Sequence, residues 1–227
     1  VRGRLCDGTA ALSYAEFQQT RQNYSMAKEI YQNVLVGATE LKERGNVYLG
    51  GGNMSMEGLM MQAMCALGQL ESHLGNFRNA EELLTKALTK ADQIYGEKHP
   101  KLGAVLTNMA LMYRRKAIEQ KSSSLVVQEG LYRRVSEIFK FPPPETEPEG
   151  AAAAAKPTVK RNDIVALASG GYAELLSVQE NRQSEGEKMK KLSDSLWKNS
   201  RMSLDDFLGN TEASVCPVVD CRICRLL

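Results

Sequence analysis

Hydrophobic and small residues recur along most of the chain at the spacing of amphipathic helices. Apolar positions return every three or four residues, and charged residues occupy many of the positions between them. The clearest stretch contains Leu67-Gly68, Ala80, Leu84 and Ala87. Gly68 and Ala80 are small residues at the point where two antiparallel helices would cross. Such residues are needed there, because helix axes approach to about 8–10 Å only over small side chains. The pattern predicts a helix pair in this stretch.

The same frame of small and large residues returns elsewhere in the chain. It is carried by Tyr14-Ala15, Tyr24, Ala27, Tyr31 and Val34; by Met109-Ala110, Tyr113, Tyr132, Val135 and Ile138; and, in degenerate form, by Tyr172-Ala173, Leu176, Met189, Leu192 and Leu196. Three clear copies and a degenerate fourth in sequence order predict an all-α solenoid of antiparallel helix pairs. The scarcity of aromatic residues, at 6%, and the abundance of helix formers favour the same class.

A turn between two predicted helices contains Gly96, His99 and Pro100. Glycine commonly ends a helix because it adopts a positive φ without strain. Proline suits the first turn of a new helix, where its missing N–H is not needed. These residues predict helices over Asn79–Tyr95 and Pro100–Ile118, and a structural role for His99.

Part of this pattern is similar to a known repeat. The residues that carry the similarity are Ala87-Leu88, Gly96, His99-Pro100, Leu106, Asn108-Met109-Ala110 and Tyr113. They resemble the long repeat of kinesin light chains, which reads Ala-Leu, Gly-x-x-His-Pro and Leu-x-Asn-Leu-Ala-x-x-Tyr. The residues upstream, Leu67-Gly68, Gly75-Asn76-Phe77, Ala80, Leu84 and Ala87, stand at the spacings of a tetratricopeptide repeat. The chain as a whole also resembles uncharacterised plant proteins with such repeats. The first repeat is longer than the family's, so we expect a loop over Arg44–Gly58.

The pattern divides the chain into four predicted regions. Residues 8–141 are tetratricopeptide-like helical repeats, 142–160 a linker rich in Pro, Glu and Ala, 161–208 a degenerate repeat or capping helices, and 209–227 a cysteine-containing tail. A basic amphipathic helix around Met189 and Trp197 is expected to pack as the cap of the solenoid. The alternative for this helix is binding to calmodulin or to an acidic membrane.

Catalytic, metal and cofactor chemistry finds little support in the sequence. The two histidines, His73 and His99, lie in different predicted elements, so a nucleophile–histidine pair is not expected, and we predict that the chain is not an enzyme. Gly50–Asn53 is expected to be a flexible loop, because no phosphate-binding motif surrounds it. Cys216, Cys221 and Cys224 make three thiols where a structural zinc site normally has four ligands. We therefore expect no metal and no cofactor.

The cysteines and the two ends of the sequence bear on location. Five cysteines, an odd number, favour a reducing, cytoplasmic compartment. The sequence begins at Val1 rather than Met, which we take as a sign of a fragment or processed form and which leaves an organelle assembly open. Cys224 begins Cys-Arg-Leu-Leu, which resembles a geranylgeranylation box, although arginine stands where an aliphatic residue is usual. The alternative function is therefore a membrane-associated adaptor anchored by a lipidated Cys224.

The solenoid predicts a concave groove that binds a protein or peptide partner. Its candidate residues are Gln62, Cys65, Gln69, Ser72, Thr107, Asn108, Leu111, Arg114 and Arg115. The resemblance to kinesin light chains implies that Asn108 contacts a cargo peptide, whereas Cys65 and Gln69 replace the residues of a chaperone-type carboxylate clamp. Arg114 and Arg115 either attract an acidic partner or are solvated charges. We expect Asn108 and both arginines to face solvent in the free protein.

Two classes of partner are not expected. The net charge is +2, with 29 basic and 27 acidic residues, so the sequence has no nucleic-acid footprint. No apolar stretch reaches the roughly 20 residues of a membrane span.

Overall fold

The computed structural model describes residues 8–44, 55–121, 124–141, 162–198, 202–208 and 218–227. Within these ranges the helices are α1 (Gly8–Thr20), α2 (Tyr24–Glu43), α3 (Met56–His73), α4 (Phe77–Tyr95), α5 (Pro100–Gln120), α6 (Leu125–Phe139), α7 (Asn162–Ser177), α8 (Gln183–Leu196) and α9 (Leu204–Leu208). Two short strands follow, β1 (Val219–Asp220) and β2 (Arg225–Leu226). The predicted linker over 142–160, the loop Gly50–Asn53, and Cys6 and Cys216 lie outside the described residues.

The helices form an all-α solenoid of antiparallel pairs, as predicted. The pairs are α1/α2, α3/α4, α5/α6 and α7/α8, and each pair packs on the next. The first helices of successive pairs, α1, α3, α5 and α7, also contact one another directly, and they approach more closely than the second helices do. This difference bends the array, so the first helices line its concave face. We call this face the groove.

Small residues sit at the helix crossings, as the sequence frame predicts. A Cβ atom placed on Gly68 would lie 2.8 Å from the Leu84 Cγ atom, so only glycine allows α3 and α4 this approach. Ala80 is fully buried at the same crossing. Tyr14 departs from the frame, because 51% of its surface is exposed on α1.

The turn between α4 and α5 also has the predicted geometry. Gly96 follows the last residue of α4 with a φ of 84°, and Pro100 opens α5. His99 has a structural role, because its Nδ1 atom accepts a hydrogen bond from the Lys101 backbone N–H at 3.2 Å. Its ring stacks on Tyr95 with the centroids 4.8 Å apart.

The predicted loop over Arg44–Gly58 is shorter than the sequence suggested. The hydroxyl of Ser55 caps α3 by accepting a hydrogen bond from the Gly58 backbone N–H at 3.1 Å, and the helix therefore begins at Met56. Both α4 and α5 also extend beyond their predicted bounds, at the start of α4 and at the end of α5. For α3 the difference arises because the Ser55 cap, rather than the apolar pattern, decides where the helix starts.

The fourth pair, degenerate in sequence, packs closely in the structure. A Cβ atom on Gly186 of α8 would lie 3.1 Å from the Ala173 carbonyl oxygen on α7. Met189 is buried against Tyr172 and Ala173, with Leu192 beside them. The basic helix therefore packs on the preceding helix, as expected for a cap.

A short β-hairpin interrupts the all-α pattern at residues 218–227, which we call the groove segment. Val219 pairs with Leu226 and Asp220 pairs with Arg225 in antiparallel register. Cys224 has a φ of 53°, which lets the chain reverse direction before the second strand. The sequence assigned this region to a tail and did not predict its structure.

The crossing of α3 and α4 can be tested with two glycine substitutions. Gly68→Ala should lower the free energy of unfolding by about 1–3 kcal/mol, because the new methyl group meets buried Leu84. Gly130 lies in α6, where an added Cβ atom would meet nothing within 4 Å, so Gly130→Ala should raise that free energy by about 0.4–1 kcal/mol. Urea unfolding of both variants provides the measurement, and effects of the same sign would contradict this packing.

Candidate functional site

The groove segment lies across the first helices of all four pairs. Arg222 contacts α1, Val219 contacts α3, Cys221 contacts both α3 and α5, and the backbone N–H of Leu226 donates to Asp163 of α7 at 3.0 Å. The concave face therefore holds a peptide from its own chain.

Gln69 of α3 binds the backbone of the groove segment. Its Oε1 atom accepts a hydrogen bond from the Val219 N–H at 2.8 Å, and its Nε2 atom donates to the Val219 carbonyl oxygen at 3.0 Å. One side-chain amide thus satisfies both polar groups of one buried residue. This pairing does not depend on the side chain of the bound residue, so it suits recognition of a peptide main chain.

A cluster of thiols lies at the centre of the groove. The Sγ atoms of Cys65 and Cys221 are 3.2 Å apart, and the Nδ2 atom of Asn108 donates to them at 3.1 and 3.6 Å. Burial and the neighbouring Cys65 raise the pKa of the Cys221 thiol well above its usual range, with the hydrogen bond to Cys65 as the largest cause. Both cysteines are fully buried, and the Cys221 thiol is therefore neutral at physiological pH.

Arg222 ties the groove segment to α1. Its guanidinium donates to Asp220 at 3.0 and 2.8 Å and to Glu16, and it also reaches the Thr9 carbonyl oxygen at 3.1 Å and the Ser13 hydroxyl at 3.2 Å. The Asp220 carboxylate also accepts from the Arg222 backbone N–H at 2.7 Å. Only 9% of the Arg222 side chain is exposed, so these bonds replace water almost completely.

Glu16 has a raised pKa within this group of charged side chains. Burial and the nearby Asp220 raise the pKa of its carboxyl to about 7, although Arg222 and a hydrogen bond from Gln62 oppose the shift. Gln62 donates to the Glu16 Oε1 atom at 3.0 Å, and its own Oε1 atom is buried with no partner among the described residues. Two carboxylates share one guanidinium, and a proton on Glu16 relieves their repulsion.

The expectation that Asn108 and both arginines face solvent is wrong for Asn108 and Arg114, and most of the other candidate residues are buried as well. The residues among them that are buried are Gln62, Cys65, Gln69, Ser72, Thr107, Asn108 and Arg114, while Leu111 and Arg115 are partly buried. The groove segment covers Gln69 and Asn108, whereas Thr107 turns back to donate to the Gly103 carbonyl oxygen at 2.8 Å. The role of these residues in binding a partner remains a prediction.

Adjacent arginines on α5 have different environments. Arg114 is buried, with its Nε atom donating to Glu174 of α7 at 2.6 Å and its Nη1 atom donating to the Leu208 carbonyl oxygen of α9. Arg114 therefore joins three helices and is not a solvated charge. Arg115 is partly exposed and donates to Glu119 on its own helix at 2.6 Å.

His73 of α3 contacts side chains from two other helices, Arg115 of α5 and Tyr24 of α2. The Nη1 atom of Arg115 lies 2.8 Å from the Nδ1 atom of His73, and the ring of Tyr24 lies 5.0 Å from the histidine ring. Burial, together with the charge of Arg115, lowers the pKa of His73 to about 4. The histidine is therefore neutral at pH 7 and accepts the hydrogen bond from Arg115.

Sequence reasoning missed the charged anchors of the groove segment. Glu16, Asp163, Asp220 and Arg222 were not among its candidates. Five of the seven residues in Val218–Cys224 are apolar or carry a thiol, and this was a signal, because a solvated tail has no reason to be so apolar. No local pattern indicates which helices such a segment meets.

The alternative sites have definite positions. Cys224, the candidate for lipidation, is only 4% exposed inside the groove, so modification there would require the segment to leave. Among the described residues no group of three or more His, Cys, Asp or Glu is arranged to hold a metal. None of the helices in the described ranges is long and apolar enough to cross a membrane.

The two arginines of α5 allow a matched test of the site. Arg114→Ala should lower the free energy of unfolding by about 2 kcal/mol or more, because it removes the ion pair between a buried arginine and Glu174 and the hydrogen bond to the buried Leu208 carbonyl oxygen. Arg115→Ala, at the next position, should cost less, about 1 kcal/mol, because its ion pair with Glu119 is partly exposed and it loses one further hydrogen bond, to the partly buried His73. Thermal and urea unfolding compare the two, and equal losses would contradict the assigned contacts.

The pKa of Glu16 predicts a pH dependence of stability. The folded state holds the proton up to about pH 7 and the unfolded chain only to about 4.5, so stability falls as pH rises between these values, by up to about 3 kcal/mol. Glu16→Gln should abolish this loss. The free energy of unfolding of the variant, relative to that of the wild type, should therefore increase from pH 5 to pH 8. His73 acts in the opposite direction below pH 6.5, but it is present in both proteins and cancels.

Urea unfolding at several pH values measures this difference. Glu29→Gln, at an exposed position of α2, is the control and should follow the wild type at every pH. A constant difference between Glu16→Gln and the wild type would show that Glu16 does not titrate in this range.

Comparison with known proteins supports the repeat frame. The profile of the tetratricopeptide repeat family matches residues 59–120, which contain most of α3 and all of α4 and α5. No curated protein sequence matches the chain. The matched residues include the Gly68 crossing and the turn at Gly96, which both sequence and structure assign to the repeat. Residues 59–120 therefore form a tetratricopeptide repeat segment.

Proposed function

We propose that this chain is a non-enzymatic interaction scaffold that binds an extended peptide of a protein partner in the groove formed by α1, α3, α5 and α7. Tetratricopeptide repeats generally mediate protein–protein interaction. The observation that carries the finer proposal is the pairing of Gln69 with both backbone groups of Val219. A groove that holds one peptide through its main chain has the chemistry to hold another.

The chemistry of the groove defines what the partner peptide contains. Val219 is fully buried in the hydrophobic cluster beside α3 and α5, so the partner should place a β-branched or other apolar residue there. A small side chain should follow within two residues, where Cys221 meets Asn108. An arginine in the next position would reach Glu16, as Arg222 does. The repeat of kinesin light chains has an asparagine at the position that matches Asn108, and this resemblance supports the same mode of binding.

The groove segment and the partner compete for the same atoms. Gln69 and Asn108 each use their side-chain amide on the groove segment, so a partner peptide gains them only when the segment leaves. The affinity of the full chain for a partner is then reduced by the fraction of time the groove is occupied. In this proposal the scaffold is self-inhibited, and its partner acts by displacing residues 218–227.

The proposal is tested by emptying the groove in the full chain. Val219→Asp introduces a charge at a fully buried position and should release the segment. Ile223→Asp makes the same chemical change at an exposed position of the segment and is the matched control. A fluorescent synthetic peptide with the sequence of residues 218–227, in reducing buffer, is the probe. Its affinity for Val219→Asp should exceed that for Ile223→Asp or the wild type by about tenfold or more.

The role of Gln69 is isolated on the same background. Adding Gln69→Ala to Val219→Asp removes two hydrogen bonds, each worth about 0.5–1.5 kcal/mol, so the affinity for the probe peptide should fall by about tenfold. Fluorescence anisotropy measures both changes. Equal, weak binding to all four proteins would show that the groove is not a peptide site.

Identification of the partner uses the same pair of variants as bait. A physiological partner should be enriched on Val219→Asp and lost on the double variant with Gln69→Ala, when the captured proteins are compared by mass spectrometry. Proteins that bind both baits equally are not ligands of the groove.

A further inference from the structure

Two thiols face each other across the contact between the groove and its own segment. Cys65 belongs to α3, whereas Cys221 belongs to the groove segment, 156 residues further along the chain. Their Sγ atoms are 3.2 Å apart and fully buried, and Asn108 donates to both. A disulfide has an S–S length of about 2.05 Å, so closing the bond requires a movement of about 1 Å, which side-chain rotation can supply.

We propose that Cys65 and Cys221 form a reversible disulfide that locks the groove segment in the groove. The inference rests on the proposed function, because the lock closes the same surface that would bind a partner. Oxidation would hold the scaffold in its self-inhibited form, and reduction would make the groove available. The segment is docked in this structure without a bond between the two sulfur atoms, so the disulfide would add a covalent lock to contacts that are already formed.

The oxidant is a small-molecule disulfide such as oxidised glutathione. When the segment lifts, one of the two thiols, as a thiolate, attacks the oxidant, forms a mixed disulfide and releases one glutathione thiolate. As the segment returns, the second thiolate attacks the protein sulfur, forms the Cys65–Cys221 bond and expels the second glutathione. Two thiols and one glutathione disulfide give one protein disulfide and two reduced glutathiones, and the two protons pass to the released thiolates.

Because both thiols are buried, the disulfide can form only after the groove segment has lifted out of the groove. Burial and Cys65 raise the pKa of Cys221, so the docked thiol is a poor nucleophile and is shielded from oxidants. An emptied groove exposes both thiols, whereas a bound partner would cover Cys65 and keep it reduced. Oxidation therefore closes the scaffold when neither the segment nor a partner fills the groove.

The first experiment maps the bond in the full chain. A Cys216→Ser variant is oxidised with glutathione disulfide, alkylated and digested with trypsin. Cleavage after arginine places Cys65 in residues 45–78, Cys221 in 202–222 and Cys224 in 223–225, so mass spectrometry separates the two pairings. The expected product links 45–78 to 202–222. A product that links 45–78 to 223–225, or Cys65 that remains alkylated throughout, would overturn the proposal.

The same oxidation in guanidinium chloride is the reference. In the unfolded chain the two thiols are separated by 156 residues, so their effective concentration is low. The yield of the Cys65–Cys221 product should be about tenfold or more higher in native buffer. Equal yields would show that docking of the segment does not bring the thiols together.

The second experiment measures the lock itself, independently of any partner. In a Cys6→Ser/Cys216→Ser background the reporter is Cys224, which is 4% exposed and reacts with a maleimide only when the segment lifts. Oxidation should slow labelling of Cys224 by about tenfold or more, and a phosphine reductant should restore the rate. Adding Cys65→Ser should remove the effect of oxidation while leaving Cys224 reactive. Labelling that is unaffected by oxidation would overturn the lock and would leave the peptide-binding proposal intact.

Discussion

The structure depends on the close approach of the helices, which small side chains permit at each crossing. Gly68 leaves no space for even a methyl group beside Leu84, and Ala80 is buried at the same contact. Close pairing lets the first helices of successive pairs also touch, which curves the array and creates the concave face. The groove is therefore a consequence of packing between helices, rather than of any loop or inserted element.

A groove of this kind needs every polar group at its base to be paired once water is excluded. The groove segment pairs with three side chains at the base through three different chemistries, whereas the Gln62 Oε1 atom has no partner among the described residues. Gln69 pairs with the backbone of Val219, Asn108 pairs with the thiol of Cys221, and Glu16 pairs with the guanidinium of Arg222. The first is indifferent to sequence, whereas the other two are selective. In the proposed function, this combination would let the groove accept varied peptides while still rejecting most of them.

The helices were predictable from the sequence, because their signals are local. The small residues at Gly68 and Ala80 and the turn at Gly96 and Pro100 are read from spacing alone, and the structure confirms their positions. The start of α3 was placed too late, because the cap formed by Ser55 is a hydrogen bond that apolar periodicity does not report.

The occupied groove was not predictable by the same means. Contacts between Cys65 and Cys221 or between Glu16 and Arg222 join residues far apart in the sequence, and no periodicity connects them. Asn108 was placed on the correct face of the solenoid but was expected to face water. A single sequence indicates which residues line a surface, whereas the identity of the segment that covers it depends on the tertiary fold.

Amide hydrogen exchange at Val219 tests the central claim most directly. With the segment docked, the Val219 N–H is buried and bonded to Gln69, so it should exchange much more slowly than in an unstructured peptide of the same sequence. In Gln69→Ala the protection of Val219 should fall, whereas the helix amides around Gly68 should remain protected. Exchange of Val219 at the rate of an unstructured peptide in the wild-type protein would contradict the account, because the groove would then be open.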